Sequence, residues 1–131
     1  MSRSPEALPK RFGFVVHPLT PFQRRLLGVR SLDGPLAVGR PTRRPSARVV
    51  AQLGLSTIGE QHLAGTLCSI AELPEELLSN QSRGVAAVID AVRLCQKSGA
   101  EIVGLGAVAA MIGGQGKSVA AAVDVPITTG N

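Results

Sequence analysis

The chain has 131 residues, 44% of them hydrophobic, and a formal net charge of +5. That length suits one domain with a core that needs no disulfide or metal staple, and the hydrophobic share excludes a disordered chain. Trp and Tyr are absent and Phe occurs only at Phe12, Phe14 and Phe22, so stacking of nucleic-acid bases on aromatic side chains is nearly excluded.

The charge is unevenly spread. Residues 1–50 hold ten basic side chains against Glu6 and Asp33, a net +8, whereas residues 51–131 hold four bases and seven acids, a net −3. Such asymmetry marks a phosphate- or nucleic-acid-binding region, or simply a solvated basic segment. Cys68 and Cys95 show neither CxxC spacing nor a nearby histidine cluster. They make no disulfide framework and no metal site, and a reduced, cytoplasmic setting fits them. No apolar run reaches the length of a membrane span, and Met1-Ser2-Arg3-Ser4-Pro5 lacks the apolar stretch of a signal peptide.

In chain order, residues 1–10 read as a flexible tail, and residues 11–131 as a single α/β domain. Phe12–Val16 is a short apolar run that His17-Pro18 ends, because proline cannot continue a ladder; it reads as a buried first strand. Thr20-Pro21 supplies an N-cap and a proline at the first helical position for a helix Phe22–Leu27 that stops at Gly28. Residues 33–46 combine Gly34, Pro35, Gly39, Pro41 and Pro45 with Arg40, Arg43 and Arg44, which reads as a basic loop. Val49–Thr57 and His62–Ile70 are β-type runs around Ile58-Gly59-Glu60, best satisfied by a hairpin. Pro74-Glu75-Glu76 places proline and acids where a helix starts. Val85, Val88, Ile89, Val92, Leu94 and Cys95 recur at helical spacing until Ser98-Gly99. Ile102–Leu105 follows at once as a buried strand, and a helix feeding a strand favours parallel pairing. Val119–Val123 reads as a short helix and Val125–Thr128 as a last strand. Apolar runs without alternation suit strands covered on both faces. The fold class expected is therefore α/β: a small, mainly parallel or mixed sheet with flanking helices.

Two glycine motifs invite chemistry. Gly104-Leu105-Gly106-Ala107-Val108-Ala109 fits G-x-G-x-x-A after a strand, but Asp124 precedes the candidate second strand instead of closing it. The plainer reading is a tight strand-to-loop turn. Gly113-Gly114-Gln115-Gly116-Lys117-Ser118 resembles the end of a P-loop, although Met111 stands where the first glycine belongs. A loop of this kind still offers backbone N–H groups to an anion, so Arg40, Arg43, Arg44, Gly116 and Lys117 form the candidate anion-binding set. His17 sits just past a strand end, where open α/β sheets bind ligands and an imidazole orients substrate or moves protons; the alternative is a loop histidine packed on Pro18. His62 reads as structural. Cys68 reads as a small core residue, with no partner base in view.

Three stretches together resemble one family. They are Phe12-Gly13-Phe14-Val15-Val16-His17-Pro18-Leu19-Thr20, the segment Gly65 to Leu78 with Leu73-Pro74-Glu75-Glu76-Leu77, and Gly99–Gly106 with Thr128-Thr129-Gly130-Asn131. In order and spacing they resemble the N-terminal domain of the long-chain acyl-(acyl-carrier-protein) reductases, a family laid out like shikimate or amino-acid dehydrogenases. The resemblance implies a substrate domain that precedes a nicotinamide-binding domain. It implies NADPH reduction of a fatty acyl thioester through a cysteine intermediate, with both the cofactor site and that cysteine beyond the Thr128–Asn131 junction. The chain itself is then expected to hold no cofactor and to be inactive alone. Its partners would be the nicotinamide domain or subunit, an acyl carrier protein and further copies of itself. His17, Thr20, Gly106, Thr129 and Asn131 become the candidate substrate-binding residues, because a parallel sheet gathers its C-terminal strand ends on one edge. The alternative is a non-catalytic module that binds an anionic partner, such as a nucleic acid, a phosphate ligand or an acidic carrier protein.

Overall fold

A computed structural model describes residues 11–28, 47–56 and 62–129. The tail 1–10, the basic loop 33–46 with Arg40, Arg43 and Arg44, and Asn131 lie outside the described residues. The elements are β1 (Arg11–Val16), α1 (Pro21–Leu27), β2 (Ala47–Ser56), β3 (His62–Ile70), α2 (Pro74–Ser79), α3 (Gln81–Lys97), β4 (Ile102–Leu105), a 3-10 turn (Ala107–Ala110), α4 (Ile112–Gln115), α5 (Lys117–Ala122) and β5 (Ile127–Thr128).

The five strands form one mixed sheet in the order β2-β3-β1-β4-β5. β1 pairs in parallel with β3 and β4, and β4 pairs in parallel with β5. Only the β2–β3 hairpin is antiparallel. The expected α/β class, the hairpin and the parallel pairing after the long helix are all present.

The local signals act as their chemistry dictates. Thr20 Oγ1 accepts from Gln23 N–H at 3.1 Å and Gly28 closes α1 in the left-handed region. Asn80 divides the predicted helical stretch in two: it ends α2, and its side chain accepts from Arg83 N–H to start α3. α3 buries Gly84, Ala87, Val88, Ala91, Val92 and Cys95, a stripe at helical period. The small residues let it lie close. A Cβ on Gly13 of β1 would sit 2.7 Å from Cys95 Cβ, so glycine is required beneath the helix.

On the opposite face of the sheet the described residues leave some strand side chains open. There Phe14 and Leu53 stay exposed. The phenylalanine rings lie flat over glycines: Phe12 occupies the space above Gly65, and Phe14 that above Gly104 and Gly106. Among the described residues, phenylalanine rings folded down onto neighbouring glycines fill this face.

The segment after the 3-10 turn is held by glycine. Gly113, Gly114 and Gly116 all have positive φ, at 62°, 69° and 89°, and Gln115 joins them at 60°. A Cβ on Gly116 would also lie 2.9 Å from Thr129 Cγ2. Gly116→Ala is therefore expected to cost about 1–2 kcal/mol from left-handed strain alone, read as a lower urea midpoint at unchanged slope. A midpoint equal to wild type would show that the turn relaxes freely.

Candidate functional site at the C-terminal strand edge

Because β1, β3, β4 and β5 run parallel, the residues that follow each strand share one edge of the sheet. After β1 comes His17, which is 9% exposed. Its Nε2 accepts from Val108 N–H at 3.2 Å, and its Nδ1 lies 3.0 Å from Pro18 O. A backbone N–H only donates and a carbonyl only accepts, so one tautomer satisfies both contacts, with the hydrogen on Nδ1. The ring thereby ties the end of β1 to the turn after β4.

That turn is strained and tightly fitted. Gly106 N–H donates to Val15 O at 3.1 Å, and a Cβ on Gly106 would meet the Phe14 ring at 2.8 Å. Ala107 has φ 51°, a left-handed conformation that costs a residue bearing a Cβ. Thr129 follows β5 and is half-buried against Gly116. Thr20 is exposed, and its hydroxyl caps α1. The structure thus brings His17 directly onto the Gly106–Val108 turn and Thr129 onto Gly116.

Sequence reasoning missed the acid on this edge. Glu72 follows β3 and is only 3% exposed, and its Oε1 has no hydrogen-bond partner. Burial pushes its carboxyl above the usual range, with the nearby Glu76 adding to the rise and Arg83 opposing it. No local signal marks it, since an acid before Leu73-Pro74 reads as an ordinary residue before a helix start. Its burial comes only with the fold, where it stands just past the C-terminal end of β3. Its neighbour Glu76 is occupied: Oε1 accepts from Leu73 N–H at 2.8 Å and from Arg24 at 2.7 Å. Arg24 also donates to Ala71 O, which joins α1 to this edge.

The linkage sign for Glu72 follows from the raised folded value. Its contribution to stability is fully present below the unfolded carboxylate value near 4.3 and is lost as pH rises through the higher folded value. Thermal scans are expected to show Glu72→Gln gaining on wild type as pH rises from about 4 to about 7. Parallel curves at all pH values would contradict this.

The elements that follow these strands also expose apolar side chains. Leu19 leads into α1, where Phe22 and Leu26, one helical turn apart, are 60% and 69% exposed. Leu78 on α2 and Met111 after the 3-10 turn are also exposed, and α2 contacts that turn.

The two glycine motifs already spend part of their backbone N–H groups inside the fold. Gly104–Ala109 leads into a four-residue 3-10 turn, whereas a pyrophosphate site needs the N-terminus of a full helix. Gly106 N–H is already engaged by Val15. This turn lacks the helix N-terminus on which a dinucleotide's pyrophosphate would rest. In the second motif Gly116 N–H donates to Ile112 O and Gly113 N–H to Gln81 Oε1, which leaves fewer amides for an anion; Lys117 is exposed beside them. Among the described residues no group of three His, Cys, Asp or Glu side chains is placed to hold a metal ion, and no helix is long and apolar enough to cross a membrane.

No protein-family model matches the chain, and no curated protein matches it.

Proposed function

We propose that the chain is the N-terminal substrate-binding domain, or a stand-alone relative of that domain, of a nicotinamide-dependent acyl-thioester reductase or related dehydrogenase. In this reading the cofactor binds in a separate domain or subunit, and this chain orients an apolar substrate. The observation that carries the proposal is the shared strand edge. It gathers a few polar groups, His17, Glu72 and Thr129, and the elements that follow the strands expose Leu19, Phe22, Leu26, Leu78 and Met111. Mostly apolar sites with a few convergent polar groups are the usual form of small-molecule pockets.

The chemistry assigned to each group is modest. His17 has both ring nitrogens engaged by backbone, so it positions the Gly106–Val108 turn. Among the described residues Glu72 is an acid on this edge whose Oε1 makes no hydrogen bond, and it suits a substrate hydroxyl or amide hydrogen. Thr129 leads toward the partner domain.

Amide spectra of the labelled chain, titrated with a long-chain acyl thioester of coenzyme A, test this reading. Saturable shifts are expected at Ala71–Leu73, Gly106–Val108 and Thr129, with none from NADPH. Micromolar NADPH binding to this chain alone would overturn the assignment. So would thioester shifts confined to the β2–β3 hairpin.

A further inference from the structure

Cys68 on β3 and Cys95 on α3 are 27 residues apart in sequence and fully buried, yet their sulfurs lie 3.1 Å from each other, with Cys95 Sγ donating to Cys68 Sγ. The contact is built into the packing. Gly13 makes the space, since any Cβ there would strike Cys95 Cβ and Sγ at 2.7 and 2.8 Å. Both thiols are free. The established disulfide bond length is about 2.05 Å, so closure asks the two sulfurs to approach by roughly an ångström.

We propose that Cys68 and Cys95 are a reversible redox pair that closes to an intramolecular disulfide and staples the sheet to α3. The hydrogen bond from Cys95 holds the Cys68 thiol below its usual value, against burial, and raises Cys95. Cys68 is accordingly the attacking sulfur. The oxidant is a low-molecular-weight disulfide, here glutathione disulfide. The Cys68 thiolate attacks one of its sulfurs, forming a mixed disulfide and releasing one glutathione thiolate, which takes up a proton. Cys95 then loses its proton to solvent and attacks the Cys68 sulfur, forming the Cys68–Cys95 bond and expelling the second glutathione, which is protonated. Two protein thiols are oxidised and one glutathione disulfide is reduced to two thiols.

Access comes from opening of the last turn of α3. Cys95 lies two residues before its end at Lys97, and helix ends open at the lowest cost. A pair already in contact in the native state favours closure over the same pair on an unfolded chain, and by linkage the closed pair stabilises the fold.

Equilibration of the full chain with reduced and oxidised glutathione, followed by acid quench, alkylation and mass analysis, gives the effective concentration of the pair. It is expected to be at least about 100-fold higher for the folded chain than for the same chain in concentrated urea. A folded value no greater than the urea value would overturn the proposal. Oxidation of the folded chain only to glutathione adducts or to disulfide-linked dimers would do the same.

Discussion

Leu77→Ala is expected to destabilise the chain by about 2–5 kcal/mol, the range for a leucine cut back to alanine in a closed core. Leu77 is the buried residue of the short helix α2. Its Cδ2 and the Cδ1 of Ile112 both stand 2.9 Å from where a Cβ on Gly84 would lie, so three segments meet at one point: α2, the start of α3 and the start of the left-handed turn. The cavity left by alanine borders Gly84, which has no side chain to fill it. α2 has only six residues, too few to persist without its packing. Chemical denaturation with an unchanged slope would measure the loss. A change below about 1 kcal/mol would mean that Ile112 collapses into the space. The same substitution should also loosen the Ala71–Leu73 segment, because Leu77 N–H donates to Leu73 O.

His17→Ala is expected to cost about 2–4 kcal/mol, from leaving the Val108 N–H and the Pro18 carbonyl without their partner. The effect should be local as well as global. Amide exchange at Val108 should accelerate more than exchange at Val103, which is held inside the sheet by its bond to Pro126 O. A purely substrate-contacting histidine predicts the reverse pattern: stability within about 0.5 kcal/mol of wild type, with thioester-induced shifts lost. The stability and exchange measurements therefore separate a positioning role from direct ligand contact.

Much of the architecture was legible because it rests on short-range chemistry. Thr20-Pro21 and Gly28 bound α1, the run Val85 to Cys95 marks the buried stripe of α3, and the apolar segments Phe12–Val16 and Ile102–Leu105 have no other stable use than strands under a helix. The break at Asn80 was less visible, since the helical signal on either side of it is continuous and only the cap hydrogen bond to Arg83 N–H divides it.

The sequence by itself determined the α/β class, the hairpin, the helix after it and the parallel strand beyond, since caps, turn residues and hydrophobic period act within a few residues of each other. It also pointed to His17 and Gly106, because a polar residue and a glycine directly after apolar runs stand out locally. Only the tertiary structure decided what those residues touch: that His17 holds the backbone of Val108, that Gly106 makes room for Phe14, and that the Gly106 and Gly116 N–H groups go to Val15 O and Ile112 O. It also decided the two features with no local mark, the burial of Glu72 and the contact of Cys68 with Cys95. The reason is physical. Burial and sulfur contact depend on strand order and register, and those are set by pairings between residues tens of positions apart, such as Val15 with both Cys68 and Leu105. No periodicity or spacing within one segment encodes which distant strand becomes its neighbour.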